Sequence, residues 1–228
     1  MAFGYLPGAS TEDYATFFTL LKETIAQKLN STGIRLRKVL CDFELSIHNG
    51  ITDTFGTEVE INGCYFHFSQ CLYRKVLDSG MKSDYAKPGS HLKKFVKMCI
   101  GLAQCPPNRL REAYIILKNF KLTDHRQVEF KEKFLAYINQ QWLNNEHMQP
   151  SKWNCFLRKN HYSNNAMEAF NGRLKKRIKV YNPNPYLLLM ALKREMIISC
   201  GNIRDYEAGA VSKKVNKSRR LLKILESG

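Results

Sequence analysis

Apolar residues recur at spacings of three and four through most of this chain, the period of amphipathic helices. Residues 10–30 open on Ser10 or Thr11 as a cap and carry Tyr14, Phe17, Phe18, Leu21, Ile25 and Leu29 on one side, which predicts a helix burying that face. Two short stretches break the helical period. Residues 1–7 read as the end of a strand stopped by Pro7-Gly8, and residues 37–43 read as a strand with Val39 and Leu40 inside and Asp42 at its carboxyl end. Residues 57–61 suggest another short strand. Helical patterns then run over 63–76, 90–104, 109–120 and 128–144, with Pro106-Pro107 and a polar stretch at 123–127 between them. Trp142 and Trp153 flank the Met148-Gln149-Pro150 break and are expected in a core.

Past that break, Met167, Phe170, Leu174 and Ile178 form an apolar stripe, and Asn164 and Asn165 supply N-cap chemistry. On another side of the same predicted helix, Glu168, Asn171 or Gly172, and Lys175 lie one above the other. The turn Asn182-Pro183-Asn184-Pro185 leads to a last core helix over 186–199. Strand, helix, strand followed by a helical block predicts an α/β chain in four parts. These are an α/β segment over 1–62, an inserted or appended helical domain over 63–150, further core helices over 151–205, and a basic tail over 206–228.

Composition sharpens this picture. Of 228 residues, 44% are apolar and 11% aromatic, enough for a folded core. The net charge of +16 is lopsided: from residue 151 onward there are 17 Lys and Arg against 5 Asp and Glu. A basic half that also carries aromatics points to a nucleic-acid partner before a membrane surface. The seven scattered cysteines make no disulfide framework, which suggests a reducing, intracellular setting. No stretch reads as a signal peptide or as a membrane span, the longest apolar run being residues 186–192.

The candidate chemistry centres on two acids. Asp42 ends a strand, where α/β sheets collect their ligands, although an Asp there is commonly turn chemistry. Glu168 is followed by Arg173, Lys175, Lys176, Arg177 and Lys179. A carboxylate holding a metal beside a polyanion would want that company, yet a surface acid on an ordinary amphipathic helix gives the same pattern. Cys64 and His67 offer two soft ligands, but a structural zinc wants four, and no second pair follows at zinc-finger spacing. Local packing is therefore the preferred reading of that pair, over zinc. The cations at Lys213, Lys214, Lys217, Arg219, Arg220 and Lys223 fit a solvated face, an import signal or a DNA contact.

Three blocks carry a resemblance. Val39-Leu40-Cys41-Asp42-Phe43-Glu44, Gly63-Cys64-Tyr65-Phe66-His67-Phe68-Ser69-Gln70 and Asn164-Asn165-x-x-Glu168-x-x-Asn171 resemble, in order, segments of MULE (Mutator-like element) transposases. Leu102-Ala103-x-x-Pro106, Phe134-x-x-Tyr137 and Trp142 also fall where that family has similar residues. The resemblance spans nearly all of residues 1–200. It implies a ribonuclease H-like fold of the retroviral-integrase kind with a helical insertion, and an Asp, Asp, Glu triad of which Asp42 is the second acid and Glu168 the third. It implies Mg²⁺ or Mn²⁺ held by both, for two-metal DNA strand cleavage and transfer. It further implies DNA contacts from Asn164, Asn165, Asn171, Arg173, Lys175, Lys176, Arg177 and Lys179. Terminal inverted repeats and target DNA would be the partners, in a homo-oligomeric transposition complex in the nucleus. The family's first Asp precedes the segment at which Met1 begins, and Glu12, Asp13, Glu44, Asp53, Glu58 and Glu60 are not placed to replace it. The expectation is a catalytic-domain fragment inactive on its own. The alternative is a decayed or domesticated remnant that associates with DNA without catalysis.

Overall fold

A computed structural model describes residues 4, 6–30, 35–158, 165–180 and 183–209, the side chains of residues 165–168, 202 and 206 excepted. The strand expected over residues 1–7, the turn at 31–33, Asn164 and the basic tail beyond Gly209 therefore lie wholly or largely outside the described residues. What is described is a mixed α/β chain, predominantly helical, with a two-stranded parallel sheet. It divides into two compact units, one spanning Gly4–Asn165 and the other beginning at Ala166.

The first unit opens with α1, Thr11–Lys28, closed at its start by a full capping box in which Ser10 and Asp13 exchange hydrogen bonds. Its apolar face is only half-buried: no α1 residue is fully enclosed, and Leu29, expected inside, is 66% exposed. That face meets α2, Leu45–Phe55, a helix the sequence pattern does not announce. Thr52 and Thr54 are β-branched and Gly50 lowers helix propensity, so local preference is weak here. Packing decides instead. A Cβ on Gly50 would press on Tyr14 and the Ala15 backbone, so the glycine lets the two helices approach. Phe18 meets Phe55 edge-on at 6.2 Å, and the Thr54 hydroxyl donates to the Ala15 carbonyl at 3.3 Å.

Between α1 and α2 runs β1, Lys38–Cys41, and after α2 comes β2, Glu60–Gly63, three residues later than the spacing suggests. The strands pair in parallel from Lys38 opposite Glu60 to Cys41 opposite Gly63, with α2 as the crossover. The described βαβ unit is thus β1–α2–β2.

The helical block follows directly: α3, Tyr65–Asp78; α4, Lys82–Ala86; α5, His91–Gly101; α6, Leu110–Lys118; α7, His125–Ile138; and the short α8, Pro150–Trp153. Its core is lined by Phe68, Leu72, Phe95, Val96, Ile138 and Trp153, all fully buried. A π-helical turn, Asn139–Leu143, extends α7 and brings Trp142 into this core. Trp153 stacks flat on Phe68 at 5.1 Å, and its indole N–H donates to the Trp142 carbonyl at 2.8 Å. Phe43, next to Asp42, meets Trp142 edge-on at 4.9 Å. The strand pair and the helical block therefore share one core. The segment after α8 closes the block: the Asn154 amide donates to the Cys105 carbonyl at 2.7 Å, and the Arg158 guanidinium donates to the Gly63 carbonyl at 2.8 Å.

The second unit contains α9, Asn165–Ile178, and α10, Pro185–Glu207, which runs eight residues past the expected end. Asn184 caps α10 by accepting from the Leu187 N–H at 2.8 Å, and Pro185 fills the first helical position. No helix among the described residues is long and apolar enough to cross a membrane.

Candidate functional site

β1 ends at Cys41, and the Cys64 N–H donates to the Cys41 carbonyl at 2.8 Å, carrying the parallel ladder to its last rung. Asp42 is the first residue beyond it. Its backbone carbonyl lies 2.8 Å from His48 Nε2. A carbonyl only accepts, so Nε2 carries the proton and Nδ1 is the bare nitrogen. That Nδ1 is buried and has no hydrogen-bond partner. His48 is 2% exposed, and its burial pushes the imidazole pKa below the ordinary value. The Asp42 carboxylate accepts from the Glu44 N–H at 3.3 Å, a short local turn that orients it.

Glu44 stands beside it. Burial, followed by the Glu44 and Asp42 charges, raises the pKa of Tyr14 of α1, which lies alongside. Burial, with the Asp42 charge second, pushes the neighbouring Cys41 thiol up to about 12. The carboxyl end of β1 is thus a half-buried shelf bearing two carboxylates, its backbone held by His48, with Tyr14 alongside. Among the described residues Asp42 forms no salt bridge, which leaves its carboxylate available to a cation. Hard carboxylate oxygens suit Mg²⁺, which commonly takes one or two protein carboxylates and fills its shell with water and substrate phosphate. Asp42 fits that share. Among the described residues no group of three or more His, Cys, Asp and Glu side chains is gathered as a metal cage.

Cys64 is the N-cap of α3 and is fully buried, whereas His67 belongs to the first turn of that helix.

Glu168 lies within α9 in the second unit, with its side chain outside the described residues; the side chain of Asn165, at the helix start, is likewise outside them. Asn171, Lys175, Lys176 and Lys179 are exposed. Lys175, Lys176 and Arg177 also occupy the last turn of α9, where cations offset the negative end of the helix dipole. Lys179 closes the helix with φ +55° and donates its N–H to the Lys175 carbonyl at 3.1 Å.

The two arginines behave differently from the lysines. Glu195 of α10 is 1% exposed and receives Arg177 Nη2 at 3.0 Å and Arg173 Nε at 3.5 Å. Arg173 also lies over the Phe170 ring at 5.9 Å. Glu195 and His48 are absent from the residues singled out by sequence, and Tyr14 and Glu44 are named there only as a core residue and as an acid of the Asp42 motif. Glu195 leaves one trace there: it falls four residues after buried Ala191 and seven after half-buried Leu188, an acid in an otherwise apolar stripe.

Comparison with protein-family models, with curated proteins and with solved structures finds no match to this chain.

Proposed function

We propose that this chain is part of the catalytic domain of a MULE-type transposase, with a ribonuclease H-like core, acting on DNA through divalent ions held by Asp42 and Glu168. The observation that carries the reading is Asp42 itself. It is a half-buried carboxylate with no ion pair among the described residues, one residue past the end of a parallel strand, inside the motif that resembles the family's second acidic block. The helical block after it and the helix bearing Glu168, 126 positions further on, are in keeping with that order.

The chain's own residues supply position and charge. His48 holds the Asp42 backbone and the Glu44 N–H orients its carboxylate, so the ligand is set before any ion arrives. Lys175, Lys176 and Lys179 offer exposed cations to phosphates near Glu168. Bound Mg²⁺ would supply Lewis-acid stabilisation of charge developing on the attacked phosphodiester.

Iron-directed cleavage of the protein tests this without requiring turnover. Fe²⁺ takes Mg²⁺ sites, and with ascorbate and peroxide it cuts the backbone close to where it is bound. Cuts near both Asp42 and Glu168, suppressed by excess Mg²⁺ and lost in Asp42→Asn and Glu168→Gln, are expected. Cuts at one acid only, or cuts indifferent to both substitutions, would overturn the assignment.

A second reading, DNA association without catalysis, is favoured by the charge of +12 carried by residues 151–228. It predicts duplex binding that weakens steeply with salt and no specific iron cuts.

A further inference from the structure

Buried Glu195 divides the cations of α9 into two sets. Arg173 and Arg177 are one turn apart on the same face, and both reach the single carboxylate of Glu195 from α10. At about 100° per residue, Lys175 lies about 200° around the helix from Arg173, and the positions of Glu168 and Asn171 fall within about 40° of Lys175. Phe170, buried, is on the arginine side, about 60° from Arg173. One face of α9 is therefore tied to α10, and the opposite face carries Asn171 and Lys175, both exposed, with exposed Lys179 at its end.

We infer that Glu195 is a latch that withdraws Arg173 and Arg177 from polyanion contact and fixes the roll of α9. The helix then meets the phosphodiester backbone of duplex DNA with Lys175 and Lys179. This rests on the DNA-binding reading proposed above and adds a division that charge counting alone does not contain. The physical case is competition. A carboxylate enclosed in protein attracts a guanidinium more strongly than a solvated phosphate can, because water screens a pair less when one partner is enclosed. Arg177, whose side chain is 30% exposed, is the more firmly held of the two, and Arg173, at 55%, adds to the grip from the rim. Releasing either would leave the enclosed Glu195 carboxylate with one fewer cation beside it.

The experiment is chemical protection on the unaltered chain. Lysines are acetylated and arginines modified with phenylglyoxal, with and without either of two unrelated duplexes at low salt, and the sites are read by mass spectrometry. Duplex is expected to protect Lys175 and Lys179 several-fold and to leave the reactivity of Arg173 and Arg177 unchanged. A salt titration supplies the second measurement. Replacing Lys175 and Lys179 by Gln should reduce the slope of log affinity against log salt by about 1.8, two phosphate contacts at about 0.9 each. Duplex-dependent protection of Arg173 or Arg177, or a slope indifferent to the lysine substitutions, overturns the latch while leaving DNA binding intact. An unaltered chain that binds neither duplex at low salt overturns the DNA reading itself.

Discussion

Trp153→Phe tests whether the strand pair and the helical block form one cooperative core. Trp153 is fully enclosed, lies flat on Phe68 and donates to the Trp142 carbonyl at 2.8 Å. Phenylalanine keeps the stack on Phe68 but has no N–H. The Trp142 carbonyl would then be left without its donor in a dry core, at a cost of about 1–3 kcal/mol. The smaller ring also leaves a void beside Phe68 and Trp142, adding about 1 kcal/mol. The expected loss is about 2–4 kcal/mol, a large share of the ~5–15 kcal/mol that stabilises a typical domain. Urea unfolding followed by fluorescence measures it. The chain has two tryptophans, so in this variant Trp142 alone reports. Because Trp142 also meets Phe43 at 4.9 Å, its emission follows the segment beside Asp42. A single transition at lower urea with an unchanged slope is expected. A loss below about 0.5 kcal/mol would refute the hydrogen-bond argument, and two separate transitions would refute the shared core.

Three further outcomes follow from particular contacts. A Cβ on Gly63 would collide with the Phe43 ring, already pinned by Trp142, so Gly63→Ala should destabilise the first unit by about 1–3 kcal/mol; an unchanged urea midpoint would show that Phe43 moves aside freely. With its pKa near 12, Cys41 is about one part in ten thousand thiolate at pH 8, so iodoacetamide should label exposed Cys200 first and leave Cys41 unlabelled in the folded chain; equal rates by peptide mapping would contradict this. His48 has a folded pKa below its unfolded value of 6.5, so its neutral form stabilises the fold fully above pH 6.5 and that stabilisation is lost as pH falls towards the folded value. With chelator present, the stability gap between the unaltered chain and His48→Gln should narrow from pH 7.5 to pH 5, and a constant gap in thermal melts would refute the role of burial.

Local signals in the sequence were strong enough to determine much of this chain. The Ser10–Asp13 capping box marks the start of α1, and the apolar stripes mark α3, α5, α6 and α7 within a few residues. Trp142 and Trp153 are in the core, and Asp42 stands at the end of a strand, because cap chemistry and hydrophobic period act over a handful of neighbouring residues. What failed was anything settled between distant segments. α2 has weak intrinsic preference and exists because Gly50 lets it lie against α1, a contact no window of sequence contains. β2 sits three residues later than its pattern because the register with β1 is set by pairing Cys41 with Gly63. Five basic residues after Glu168 look equivalent in the sequence, since charge and spacing are all it shows. Only the tertiary structure separates Arg173 and Arg177 from Lys175, Lys176 and Lys179, because a buried carboxylate eighteen residues beyond Arg177 engages the first two and leaves the lysines in water.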